Sequence, residues 1–241
     1  MIFWKDVSIM MDHMDPNCPS LGHKQEALSK GPRDLISCIS HLLGAILAVP
    51  ATFLLVFKTT SEAAVSPLRV FSTLLFGVSM VALYSASALY HYVRQDAPYL
   101  LTLRKLDHAM IYVLIAGTYT PILLNLFGRP QGVILFGLIW AIALAGVLFK
   151  VFWFRAPRWL STAFYLAMGW FILVDVKSLG AMQAGGIVWL ALGGVFYTIG
   201  GVIYAIKKPN LSKKFGFHEL FHVFVLLGSL CHFVCVYGYI A

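Results

Sequence analysis

The stretch GIVWLALGGVFYTIGGVIYAI at residues 186–206 decides the fold class, because it runs for 21 residues without a charged side chain. A helix rises about 1.5 Å per residue, so a run of this length crosses the roughly 30 Å hydrocarbon core of a bilayer. Its apolar residues are continuous and lack the alternation that marks the strands of membrane β-barrels. We therefore predict a transmembrane helix here.

Six further apolar segments are each bounded by a charge, a proline or a glycine: 35–57, 70–93, 107–127, 132–154, 159–178 and 216–240. Of the 241 residues, 60% are hydrophobic and 12% are charged, against roughly 25% charged in an average soluble domain. A soluble protein of this size could not bury so much apolar surface. We expect an all-α membrane protein in which residues 34–241 form a bundle of seven transmembrane helices, preceded by a polar, flexible cytoplasmic tail at 1–33.

Two other features of the composition exclude classes of function. The net charge of +8 does not indicate a nucleic-acid partner, because the basic residues stand singly between apolar runs and form no patch. The four cysteines form no CxxC pair and no disulfide framework, so they indicate neither a metal site nor a redox function. They are Cys18, Cys38, Cys231 and Cys235.

The distribution of lysine and arginine predicts the orientation of the bundle. The tail and the second, fourth and sixth loops together carry fourteen basic residues, whereas the opposite side carries four. Basic residues are retained on the cytoplasmic side of a membrane. We therefore expect the N-terminus in the cytoplasm, the C-terminus outside, and the chain in the cell inner (plasma) membrane.

Ionisable side chains inside membrane spans are costly and require an explanation. The seventh segment begins with His218-Glu219-Leu220-Phe221-His222. His218 and His222 lie one turn apart and only about 40° apart around a helix, so both imidazoles can reach one metal ion. The letters match the HExxH motif of zinc proteases. However, Glu219 points about 100° away from His218, and the motif by itself has limited specificity.

A second polar group belongs to the same depth of the membrane. Ser87 and His91 share one face at the end of the second segment, and Asp107 opens the third. In the predicted topology these ends and the start of the seventh segment all lie at the cytoplasmic face. Three imidazoles and a water form a common catalytic zinc site, in which Asp107 can accept the proton of the water and Ser87 can donate a hydrogen bond. Alternatively, each histidine simply bonds a backbone carbonyl.

These motifs resemble those of the hemolysin III family: SALYH at 87–91, LDHAMIYVLIAGTYTP at 106–121 and FHELFHVFVLLGSLCHF at 217–233. That family is related to the progestin and adipoQ receptors and, more distantly, to the alkaline ceramidases. The resemblance implies a seven-helix bundle in which His91, His218 and His222 hold zinc, with Asp107 and Ser87 around the coordinated water. It further implies relatives that hydrolyse lipid amides, a cytolytic activity named for bacterial members, and a link to membrane fluidity.

Three functions stay open at this point. A zinc-dependent hydrolase would attack an amide or ester carbonyl of a membrane lipid, its expected partner. A cytolytic pore would need polar groups through the whole depth of several spans, whereas here they cluster in the predicted cytoplasmic third. A sensor or receptor of the membrane state would use zinc as a structural link between the second, third and seventh spans. The sequence names neither the lipid nor the oligomeric state.

Three other histidines have open roles. Ser37 and His41 share a face of the first segment near the predicted metal site, as a helper group or as ordinary packing residues. His108 is expected at the membrane interface. His232 lies fourteen residues beyond His218, about 21 Å along the helix, and is too far away to share the ion.

The orientation can be tested with a reporter that is active only in the cytoplasm. Fused after Ala241, the reporter is expected to be silent, because the basic residues place this end outside. A fusion truncated after Lys208, in the sixth loop, is the matched control and is expected to be active. An active Ala241 fusion would contradict the predicted topology.

Overall fold

The structure is a computed structural model that describes residues 32–212 and 215–241. Within these ranges it contains seven helices long and apolar enough to cross a membrane, and it contains no β-strand there. They are α1 (Leu35–Thr60), α2 (Pro67–Tyr92), α3 (Leu100–Asn125), α4 (Gln131–Phe152), α5 (Arg158–Gly169, continued by the 3₁₀ helix Phe171–Ala181), α6 (Ala184–Ile206) and α7 (Phe217–Tyr239). The predicted seven-helix, all-α class is confirmed.

Two parts of the sequence prediction stay untested. The side of the membrane that each end faces is still a prediction. Of the tail predicted at 1–33, residues 1–31 lie outside the described residues, so its flexibility also stays a prediction.

Local capping explains where α2 and α7 begin. Ser66 precedes α2 and accepts a hydrogen bond from the backbone N–H of Arg69 at 3.4 Å, while Pro67 occupies the first helical position. At α7, the Glu219 carboxylate accepts a hydrogen bond from the backbone N–H of Gly216 at 2.8 Å. This bond satisfies a donor that the helix itself cannot pair. It fixes the start of α7, so that His218 lies in the first turn.

The fifth span departs from the continuous apolar segment predicted at 159–178. Its α-helix ends at Gly169 and continues as a 3₁₀ helix. The Tyr119 hydroxyl, from α3, donates to the Gly169 carbonyl at 2.6 Å and accepts from the Ile172 N–H at 3.0 Å. A side chain inserted into the backbone hydrogen-bond ladder interrupts a helix. The apolar span was therefore predicted correctly, but its change of helix type depends on a residue from another helix.

The helix α3 lies at the centre of the bundle. It contacts α2, α4, α5 and α7, while α1 contacts α2 and α7, and α6 contacts α5 and α7. Gly117 lets α3 approach α2 closely, because a Cβ atom at this position would lie 2.6 Å from the Cβ of Ser79. Leu47, Phe53 and Leu144 are exposed on the outer faces, as expected for side chains that face lipid tails.

The α2–α3 contact can be tested with two glycine substitutions. Gly117→Ala would overlap Ser79 and is expected to destabilise the bundle by about 1–3 kcal/mol. Gly137→Ala, on the exposed face of α4 with nothing within 4 Å, is the matched control. It is expected to be neutral or to stabilise by up to about 1 kcal/mol, since alanine favours helix. Thermal unfolding in detergent would measure both, and equal melting temperatures would refute the close approach.

Candidate metal centre

Three histidines converge where α2 ends and α7 begins. One ring nitrogen from each of His91, His218 and His222 lies within 4.8 Å of the other two. The Nε2 atoms of His91 and His218 are 3.2 Å apart. Two nitrogens bound to one zinc ion at 2.0–2.1 Å with a tetrahedral angle would be separated by roughly 3.3–3.4 Å. The three histidines could therefore hold one metal ion with little movement.

Hydrogen bonds fix which nitrogen His222 offers. Its Nδ1 lies 3.2 Å from the Ser40 Oγ. The Ser40 hydroxyl already donates its proton to the Ser37 carbonyl at 2.9 Å, so it accepts a hydrogen bond from the Nδ1–H of His222. The second nitrogen, Nε2, therefore carries a lone pair and is available to a metal ion.

A carboxylate fixes His91 in the same way. Its Nδ1 lies 3.1 Å from the Asp34 Oδ2, and the Arg33 Nε donates to the same oxygen at 2.9 Å. The hydrogen bond with His91 and the contact with Arg33 outweigh partial burial and lower the pKa of Asp34 to about 2. An ionised carboxylate only accepts, so Nδ1 of His91 donates and Nε2 keeps its lone pair. Histidines that bind metals commonly donate to a carboxylate in this manner.

Sequence reasoning did not single out Asp34 or Ser40. In the sequence, Asp34 looks like an ordinary polar residue before a span, and Ser40 is one of several serines in α1. Their helical spacing could have indicated them, because Ser37, Ser40 and His41 face one side of α1 within a turn or so of Asp34. The sequence alone does not show that this side of α1 packs against the end of α2 and the start of α7.

The two remaining predicted site residues lie beside the histidines. Asp107 and Ser87 are buried and, with His41, His218 and His222, line one end of an internal cavity of about 300 Å³. The Ser87 hydroxyl lies beside the Asp107 carboxylate. The Asp107 Oδ2 lies 3.5 Å from the His108 Nδ1. The structure thus places all five predicted site residues in one region, and their roles stay predictions.

The rest of the cavity runs between α3, α5, α6 and α7, and its wall is mostly apolar. At the far end, His232 lies 3.2 Å from the Leu190 carbonyl through its Nε2. It does not belong to the cluster of three histidines, as its distance along α7 predicted. The apolar wall includes Ile111, Leu114, Ile115, Leu166, Leu190 and Val225.

His41 is in direct contact with a histidine of the candidate metal centre. Its ring stacks on that of His222, with centroids 3.7 Å apart and planes inclined by 10°. Neither ring nitrogen has a partner among the described residues. The stacked ring helps to hold the orientation of His222 and leaves polar atoms near the cavity wall.

Glu219 and His108 do not belong to the cluster of three histidines. Glu219 accepts a hydrogen bond from the Ser37 Oγ at 3.1 Å and caps α7, so the HExxH letters do not describe a protease site here. His108, expected at the interface, is half-buried and lines the cavity. Its Nδ1 bonds the Arg104 carbonyl at 2.9 Å.

Comparison with known proteins identifies the family of the chain. The family model described as Haemolysin-III related matches residues 31–233. The chain belongs to the hemolysin III family. It is 39% identical to the Hemolysin-3 homolog of Bacillus subtilis over 208 residues, which cover 86% of this chain and 93% of the relative. It is 37% identical to Hemolysin-3 of Bacillus cereus over 209 residues, covering 86% and 91%.

The chain is also similar, over a short segment, to an adipoQ-receptor-like protein. A segment of 50 residues is 42% identical to the ADIPOR-like receptor IZH2 of Saccharomyces cerevisiae and covers 18% of this chain and 16% of that protein. The predicted relation to the adipoQ receptors is thus confirmed for this hemolysin III member, while the relation to the alkaline ceramidases stays a prediction.

Metal analysis tests the centre. We expect about one zinc ion per purified chain, because ring nitrogens of three histidines lie within 4.8 Å of one another. The double variant His218→Ala, His222→Ala should lose the metal, since only His91 would remain. His232→Ala removes another buried histidine of α7 and should retain it. A folded wild-type chain that binds no zinc at saturating concentration would contradict the assignment.

Proposed function

We propose that this hemolysin III protein is a zinc-dependent hydrolase that cleaves an amide or ester bond of a membrane lipid in the cell inner (plasma) membrane. The supporting observation is that two of the three clustered histidines, His218 and His222, line a largely apolar internal cavity. A cavity with an apolar wall and a few convergent polar groups is typical of a small-molecule site. A lipid acyl chain matches the wall, and its carbonyl group matches the polar end.

The donor set favours a catalytic zinc ion. Structural zinc sites use four protein ligands, whereas catalytic sites use three and leave one position for water or substrate. Among the described residues, no further His, Cys, Asp or Glu joins His91, His218 and His222. When bound, zinc supplies a Lewis acid that polarises a carbonyl and lowers the pKa of water towards roughly 7.

The side chains around the histidines have matching roles. Asp107 would accept a proton from the attacking water and return it to the leaving nitrogen or oxygen. Ser87 has a buried hydroxyl beside Asp107, and it would donate a hydrogen bond to the carbonyl oxygen of the lipid. The apolar wall would hold the acyl chain and exclude bulk water from the reacting bond.

A structural zinc ion in a membrane sensor is the second candidate. The observation that favours it is that one ligand comes from α2 and two come from α7, so the ion would fasten these helices together. A pore has less support, because the wall of the cavity between its polar ends is mostly apolar, whereas a conducting path requires polar groups throughout.

Asp107→Asn separates the hydrolase from the sensor. In a hydrolase this variant should keep its zinc and melting temperature but lose turnover by roughly 10²–10⁴-fold, because the general base is gone. Asp96→Asn is the matched control: it removes an exposed carboxylate paired with Arg94 and should not change turnover. The measurement is a lipid-hydrolysis screen of the purified full chain, with and without a chelator.

Zinc content must be measured at saturating metal, since residues around a metal centre can change affinity by roughly 10–100-fold. If Asp107→Asn loosens zinc and lowers thermal stability together while no lipid is hydrolysed by the wild type, the structural role is correct. Full activity of a folded, zinc-loaded Asp107→Asn variant would exclude Asp107 as the base.

A further inference from the structure

A second, polar pocket of about 490 Å³ is lined by His91 and His218 of the candidate metal centre. His108, Tyr204 and His218 line both spaces. The candidate metal centre therefore lies at the boundary between a polar pocket and an apolar cavity. A molecule that reached the histidines from the cavity would extend its other end into the polar pocket.

Arg158 contributes an unpaired donor to this pocket. Its Nη1 atom is buried and has no hydrogen-bond partner among the described residues. The guanidinium group lies over the ring of Tyr204, 4.7 Å from its centroid, and over that of Phe217 at 5.4 Å. Contacts with ring faces hold the group in place but satisfy none of its N–H groups. A buried N–H without an acceptor is costly, so the position indicates a missing acceptor.

Arg104 adds a second guanidinium group. It is exposed, lines the polar pocket and lies over the ring of Phe154 at 5.2 Å, and none of the ion pairs within residues 32–212 and 215–241 includes it. The two carboxylates of the pocket are already engaged. Asp34 is paired with Arg33 and His91, and Glu219 accepts from Ser37 and caps α7. Among the described residues, neither carboxylate forms an ion pair with Arg104 or Arg158, so both guanidinium groups are left to bind an anion.

Membrane topology alone does not account for the position of Arg158. Basic residues collect on the predicted cytoplasmic side whether or not they bind anything. Arg155 is a residue of that kind, since it is exposed to solvent and lines neither space. Arg158, three residues later, instead presents a buried N–H beside the metal centre.

We propose that Arg104 and Arg158 bind a phosphate group, and that the lipid cleaved at the three histidines is therefore a phospholipid. The site on the arginines stands on its own observations, whereas the lipid assignment rests on the proposed hydrolase function. Guanidinium groups bind phosphate through paired, charge-assisted hydrogen bonds. The phosphate headgroup would lie in the polar pocket, the carbonyl at the histidines and the acyl chain in the apolar cavity.

Two sources can supply this phosphate chemistry, a lipid headgroup or free phosphate, and three probes separate them. The first is an ether-linked lysophosphatidate, which resists hydrolysis. The second is the alkylglycerol with the same chain, which lacks only the phosphate. The third is inorganic phosphate. Binding of each to the purified, zinc-loaded full chain in neutral detergent is measured by tryptophan fluorescence or native mass spectrometry.

We expect the lysophosphatidate to bind more tightly than the alkylglycerol. Arg158→Gln and Arg104→Gln should each weaken it by about tenfold to a hundredfold, the usual loss for a hydrogen bond to a charged group. Arg155→Gln is the matched control and should leave it unchanged. Alkylglycerol binding needs only the apolar cavity, so its retention shows that each variant is folded.

The outcomes separate the alternatives. Inorganic phosphate that binds as tightly as the lysophosphatidate, with the same dependence on arginine, would support the site but name free phosphate as its ligand. Equal binding of lysophosphatidate and alkylglycerol, or equal effects of Arg158→Gln and Arg155→Gln, would overturn the site. Arginine-dependent phosphate binding in a chain that hydrolyses no lipid would refute the hydrolase and leave the site standing.

Discussion

Nε2 of His91 and Nε2 of His218 lie 3.2 Å apart inside the bundle, and the hydrogen bond from His91 to Asp34 leaves the first of them with a lone pair. At this distance the Nε2 of His218 either donates a proton to this lone pair or shares a metal ion with it. The Ser40 hydroxyl imposes the same state on His222, so two of the three rings are set to offer Nε2. The end of α2 and the start of α7 therefore meet at a pair of nitrogens that share a proton or a metal ion.

The helix ends and the two cavities around the histidines are arranged about this pair of nitrogens. Asp34, just before α1, and Ser40, within α1, hold the outer nitrogens of rings on α2 and α7. The Asp34 N–H also bonds the His91 carbonyl at 3.2 Å, so the start of α1 is tied to the end of α2. On one side of the histidines an apolar cavity follows the bundle, and on the other a polar pocket carries two guanidinium groups. A site at such a boundary suits a substrate that is itself half apolar and half charged.

Sequence reasoning reached the features that depend on one helix at a time. Hydropathy gave the seven spans, and helical spacing placed His218 and His222 on one face of α7. The common depth of His91 followed from counting the spans. Sequence reasoning could not predict contacts between distant segments, because these contacts depend on how the helices pack. The end of the α5 helix at Gly169 needs Tyr119 of α3, and the buried state of the Arg158 Nη1 needs its packing beside α6 and α7.

X-ray absorption at the zinc edge of the purified full chain tests the central claim most directly, because it reports the identity and distance of the atoms bound to the ion. The arrangement of His91, His218 and His222 predicts three imidazole nitrogens at roughly 2.0–2.1 Å and one oxygen from water or substrate. A spectrum with sulfur ligands, with fewer than three imidazoles, or with oxygen ligands alone would contradict it.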